Sequence, residues 1–108
     1  MVGIATPEEV ARRLREAPES LFLLDVRESD EREVAVIEPS LHIPMGEILA
    51  RLAEIPRDRD VVVYCHTGGR SQVIAAYLEA EGFDQVANLT GGIDLWSQTV
   101  DPSIPRYS

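Results

Sequence analysis

Apolar and charged positions divide this 108-residue chain into alternating strand-like and helix-like segments. Leu21-Phe22-Leu23-Leu24-Asp25-Val26 is an apolar run broken by a single charge near its end. Runs of that length without alternation belong to strands covered on both faces, as in a parallel sheet. Val61-Val62-Val63-Tyr64-Cys65 repeats the pattern with β-branched residues, after the charged turn Arg57-Asp58-Arg59-Asp60. Val86-Ala87-Asn88-Leu89 is a third, weaker strand. Between them the period changes. Thr6 as N-cap, Pro7 at the first helical position and Glu9 in the first turn predict a helix through about Arg15. Val10 and Leu14 fall on its buried side, and Ala17-Pro18 ends it. Ile48, Leu49, Leu52 and Ile55 form an apolar stripe that predicts a second helix from near Gly46 to the stop at Pro56. Ser71 to Glu81 carries Val73, Ile74, Tyr77 and Leu78 at helical spacing, with Gly82 as C-cap and Phe83 as its hydrophobic contact. Ile93 to Val100 is the last helix, packed through Trp96.

Strands alternating with helices predict an α/β fold with a parallel sheet covered on both sides. No linker or repeat interrupts the chain, so residues 1–108 are expected to form a single domain. The Pro-rich stretch 101–108 is expected to be an extended tail along the surface.

Composition narrows the function classes. Nineteen acidic against ten basic residues give a net charge of −9, which argues against nucleic-acid binding. The 44% hydrophobic and 27% charged content is that of a globular domain. The only cysteine, Cys65, excludes an internal disulfide and a multi-cysteine metal site. No apolar run approaches the ~20 residues of a membrane span. The first nine residues lack a basic region followed by an apolar core. The expected setting is a reducing cytoplasm, where a free thiol persists, with no membrane partner.

The candidate chemistry lies in Cys65-His66-Thr67-Gly68-Gly69-Arg70-Ser71, which joins a buried strand to a helix N-terminus. Open α/β sheets bind ligands at such junctions. Gly68 and Gly69 permit a tight turn that aims backbone N–H groups at the Cys65 sulfur. Those amides, the helix dipole and Arg70 favour negative charge and lower the thiol pKa. An arginine at a helix start opposes the dipole and wants an anionic partner. His66 is expected at the mouth of the pocket, biasing substrate choice, and His42 is expected to be structural. One cysteine and two scattered histidines make a poor metal site, so none is expected. Asp25 and Arg27, at the same end of the sheet, are either a structural ion pair or a brace for the Cys65 loop. Gly91-Gly92 is expected to be a turn required for close packing.

These segments resemble the rhodanese family of sulfurtransferases. Leu24-Asp25-Val26-Arg27-Glu28 is similar to its first signature, and His42-Ile43-Pro44 with Glu47-Ile48 to its second. Val63-Tyr64-Cys65 through Arg70-Ser71 matches its active-site loop, and Gly91-Gly92-Ile93 with Trp96 its closing segment. The resemblance implies a three-layer α/β/α fold with a five-stranded parallel sheet, whose first strand lies near Gly3 to Ala5. It implies a persulfide on Cys65, with His66, Thr67, Gly68, Gly69, Arg70 and Ser71 binding the substrate and no cofactor. The implied partners are a small sulfur donor such as thiosulfate and a thiophilic acceptor: cyanide, a thiol or a sulfur-carrier protein. The tail Asp101 to Tyr107 is similar to that of rhodanese domains fused behind enzymes that activate ubiquitin-like sulfur carriers. Phosphatases resembling the family carry one more residue between cysteine and arginine than the four found here. A larger ring of amides suits phosphate, and a tighter one suits a single sulfur. The alternatives are such a phosphatase, or a binding module in which Cys65 is idle.

Overall fold

The computed structural model describes residues 2–108. Strands β1 (Gly3–Ala5), β2 (Leu21–Asp25), β3 (Leu41–His42), β4 (Asp60–Tyr64) and β5 (Val86–Leu89) form one sheet. Every pairing is parallel and the order is β1-β5-β4-β2-β3. The helices are α1 (Pro7–Glu16), α2 (Ser29–Val34), α3 (Gly69–Ala80) and α4 (Gly92–Thr99). Side chains of β4 alternate between two cores because successive residues of a strand face opposite ways. Val61, Val63 and Cys65 pack with Leu24, Val26 and with Ile74, Ala75 and Leu78 of α3. Val62 and Tyr64 pack on the other side with Leu21, Leu23, Val10 of α1, and Ile93 and Trp96 of α4. The apolar runs are therefore continuous because both faces are covered. The result is the expected α/β/α sandwich.

Local signals act where they were expected. The Glu9 N–H donates to Thr6 Oγ1 at 3.2 Å, capping α1 behind Pro7. At the end of α3, Gly82 takes φ +94°. The Gly82 N–H then donates to Glu79 O at 3.0 Å and the Phe83 N–H to Leu78 O at 3.1 Å. This double closure needs a left-handed residue, which glycine supplies without a Cβ clash.

Two readings of the apolar pattern are corrected, and two elements appear that it did not place. The segment from Gly46 to Pro56 is not an α-helix but holds two single 3-10 turns, Met45–Glu47 and Leu52–Glu54. Ile48 and Ile55 are buried, whereas Leu49 is 74% exposed, so the stripe is too narrow to repay nucleation of a full helix. Val73 also points outward from α3. Helix α2 was not expected, and β3 is the fifth strand that the resemblance implies without placing it. Helix α2 buries none of its residues and β3 spans two, so neither writes a hydrophobic period into the sequence. The stretch from Asp101 forms no helix or strand and is tied down. Ser97 Oγ donates to Ile104 O at 2.6 Å, and Arg106 grips the Asp94 carboxylate at 3.0 and 3.2 Å. Ile104 and Tyr107 pack against the α1/α4 core.

Candidate functional site

Cys65 follows the carboxyl end of β4, the central strand, which is flanked by β2 on one side and β5 on the other. Crevices at such positions are where open α/β sheets take ligands. The loop after Cys65 turns through Gly68, whose φ of +115° directs its N–H back at the sulfur. The Gly68 N–H donates to Cys65 Sγ at 3.1 Å and the Ser71 N–H at 3.4 Å. Ser71 Oγ lies 3.2 Å from the same sulfur. The cradle is thus narrower than the whole run His66 to Ser71: two amides converge on a single atom, with the Ser71 oxygen beside it. Thr67 and Gly69 are exposed on the outer side of the turn. Burial pushes the Cys65 thiol up, but the contacts with Ser71 and Gly68 and the Arg70 charge outweigh it. The net effect holds the thiol below its ordinary range.

Two further residues set the shape of this loop. Asn88 of β5 donates from Nδ2 to Gly68 O at 3.1 Å, and its Oδ1 accepts from Ser71 Oγ at 2.6 Å. It bridges the two residues that hold the sulfur. The only sequence signal was a lone asparagine inside an apolar strand. Gly92 provides the second support, and the close packing expected of Gly91-Gly92 is found there. The Ile93 and Asp94 N–H groups donate to Cys65 O and His66 O at 3.0 Å each. A Cβ on Gly92 would stand 2.5 Å from both of those oxygens, and its φ is +60°. The start of α4 is therefore clamped on the backbone of the Cys65 loop.

Arg70 finds an anion, but that anion belongs to the protein. Its Nη1 and Nη2 donate to the two oxygens of Glu31 at 2.7 and 2.8 Å. Glu31 lies on α2, the helix that periodicity missed, and the guanidinium holds its carboxyl down at about 2. Tyr107, from the tail, donates its hydroxyl to Glu31 Oε1 at 3.0 Å and accepts from Arg27 Nη1 at 3.0 Å. Its ring stacks on His66, with centroids 4.0 Å apart and planes 15° apart. His66, the residue after Cys65, thus faces Tyr107. It shares with Glu28, Asp30, Glu31, Val34 and Tyr107 the lining of a cleft of about 420 Å³.

Asp25 does not touch the Cys65 loop or Arg70. It pairs with Arg27 through Nε at 2.9 Å and Nη2 at 2.8 Å, with both side chains fully buried. Arg32 and the Tyr64 hydroxyl complete its shell at 3.0 and 3.2 Å. Burial opposes ionisation of Asp25, but the hydrogen bonds and charge of Arg27 prevail and its carboxyl sits below the usual range. His42 Nε2 is 2.7 Å from Arg27 O, a structural contact. Among the described residues, no three His, Cys, Asp or Glu side chains gather as a metal site would require.

The family model for the rhodanese-like domain matches residues 6–99. A protein named sulfurtransferase from Allochromatium vinosum is 41% identical over 98 residues, which cover 91% of each chain. The thiosulfate sulfurtransferase GlpE of Pseudomonas savastanoi pv. phaseolicola is 37% identical over 93 residues, covering 86% of each. The crystal structure of a rhodanese-like domain protein from Staphylococcus aureus matches with a TM-score of 0.84 at 27% identity. That match covers 99% of this chain and 100% of the other.

Proposed function

The chain belongs to the rhodanese-like family, and from that membership we propose a sulfurtransferase that carries sulfur as a persulfide on Cys65. The names of its relatives support sulfurtransferase activity in general. The observation that carries the finer reading is the convergence of the Gly68 and Ser71 amides on Cys65 Sγ at 3.1 and 3.4 Å. Fixed donors aimed at one atom stabilise negative charge there without reorganising during the reaction.

In the first half-reaction the Cys65 thiolate attacks the outer sulfur of thiosulfate. A bond forms between the two sulfurs, the donor S–S bond breaks, and its electron pair leaves with sulfite. In the second, an acceptor nucleophile such as cyanide or a thiolate attacks the outer persulfide sulfur, and the electron pair returns to Cys65. Negative charge stays on sulfur throughout, and the loop amides and Arg70 act on it in both states. His66 and Thr67 border the entry, and Gly68 and Gly69 supply the turn. Two amides are few donors for the three free oxygens of a phosphoryl group, which favours sulfur over phosphate chemistry. We read residues 1–108 as one domain, with a small sulfur donor and a thiol or sulfur-carrier protein as acceptor. A reducing compartment such as the cytoplasm suits a lone thiol that must stay free. Among the described residues no helix is long and apolar enough to cross a membrane.

The test is thiocyanate formation from thiosulfate and cyanide. The parent protein turns over and Cys65→Ser does not, since no second cysteine exists to replace it. Turnover surviving in Cys65→Ser would refute the reading.

A further inference from the structure

Arg70, whose charge acts on Cys65, is already bound by a carboxylate. Both terminal nitrogens of Arg70 are bound by Glu31, so the edge of the guanidinium that those two nitrogens form is taken by a carboxylate before any sulfur donor arrives. Glu31 is not a loose surface partner. Its Oε2 also accepts the Glu28 N–H at 2.9 Å, and its Oε1 accepts the Tyr107 hydroxyl at 3.0 Å. Because Arg27 Nη1 donates to the Tyr107 oxygen, the single hydroxyl proton of Tyr107 is directed to Glu31. The Arg27 end of that chain is fully buried, so the carboxylate is anchored through the tyrosine to the core. The adjoining cleft adds Glu28 and Asp30 and no further cation.

We infer that Glu31, fixed by Tyr107, is a specificity-determining residue: it occupies Arg70 and turns the site away from doubly charged sulfur donors. This rests on the persulfide reading above. A small dianion such as thiosulfate must either displace Glu31 from Arg70 or approach an arginine whose charge the carboxylate already offsets. A donor of lower charge meets a smaller barrier. The opposite role, in which Glu31 merely aligns Arg70 for catalysis, predicts the opposite sign when the carboxylate is removed.

The experiment compares thiosulfate, a dianion, with benzenethiosulfonate, a monoanion, in the parent protein, Glu31→Gln and Tyr107→Phe. Persulfide formation on Cys65 is followed by rapid quenching and intact mass, giving kcat/KM for each donor. Neutralising Glu31 adds one positive charge to the mouth. Coulomb energy is linear in donor charge, so the dianion's gain is the square of the monoanion's. We expect gains of about tenfold for thiosulfate and about threefold for benzenethiosulfonate, both shrinking as salt is raised. Tyr107→Phe keeps the stack on His66 but releases one oxygen of Glu31, and is expected to move both donors in the same direction by less. An equal change for the two donors, no change in either variant, or a loss with thiosulfate in Glu31→Gln would overturn the inference and leave the persulfide reading intact. If Cys65 of the parent takes sulfur from neither donor, the underlying reading fails and the inference with it.

Discussion

Replacing Gly92 by alanine puts one methyl group where α4 meets the Cys65 loop. The new Cβ would lie 2.5 Å from the carbonyl oxygens of both Cys65 and His66, which are backbone atoms and cannot rotate away. Relief requires α4 to back off, which weakens the Ile93–Cys65 and Asp94–His66 hydrogen bonds, each now 3.0 Å. Two such bonds contribute about 1 kcal/mol each. Holding a non-glycine residue at φ +60° costs roughly 1–2 kcal/mol more. The sum, about 3–4 kcal/mol, is a large share of the ~5–15 kcal/mol stability of a domain this size. Urea unfolding followed by Trp96 fluorescence is expected to show a midpoint lower by about 2 M, given m-values of about 1–3 kcal/mol/M. Sulfur transfer by the folded fraction should fall about 10²-fold, because a shift of ~1 Å in the loop moves the amides off the sulfur. Gly46→Ala is the control, since a Cβ there meets nothing within 4 Å. If Gly92→Ala unfolds within about 0.5 kcal/mol of Gly46→Ala, the clamp between α4 and the loop is not what shapes the site.

Arg70→Ala is expected to lower thiosulfate kcat/KM about 10²-fold, the scale of losing one preorganised electrostatic contact. It also strands the Glu31 carboxylate and raises the Cys65 pKa, so the pH profile of iodoacetamide labelling should move to higher pH; an unmoved profile would remove Arg70 from the account. Acid stability follows from Asp25 and Glu31, whose carboxyls are both lowered in the folded state, that of Glu31 to about 2. Unfolded carboxylates titrate near ~4, so the unfolded chain binds more protons below that point. The stabilisation is complete above pH ~4.5 and is lost as pH falls toward 2, so the urea midpoint should drop through that window, less so in Glu31→Gln; a flat midpoint to pH 2.5 would contradict the pairing. Asp25→Asn leaves the buried Arg27 without its counter-charge and is expected to cost about 3–5 kcal/mol in urea unfolding, with a loss under 1 kcal/mol refuting the claim that this pair braces the sheet end.

The parts of this molecule legible in its sequence are those written as local chemistry. The apolar runs of β2 and β4, the Thr6-Pro7 start of α1 and the Gly82 end of α3 each declare themselves within a few residues. So does the Cys65 to Ser71 loop, because a strand end, two glycines and a helix start adjoin in the chain. What stayed hidden depends on contacts between distant residues. Glu31 reaches Arg70 from a helix with no buried face, and Asn88 reaches Ser71 from the neighbouring strand. Tyr107 arrives from a tail whose prolines suggest only irregular backbone, although Ile104 and Arg106 anchor it to α4. Asp25 and Arg27 were visible as a pair, but only the fold shows that the pair faces Arg32 and Tyr64 rather than the loop.

The central claim is that Cys65 carries transferable sulfur, and intact mass after exposure to thiosulfate at neutral pH tests it most directly. The account predicts a gain of one sulfur atom by the parent protein, lost again on cyanide with release of thiocyanate, and no gain by Cys65→Ser. No adduct on the parent, or an adduct that survives cyanide or persists in Cys65→Ser, would contradict it.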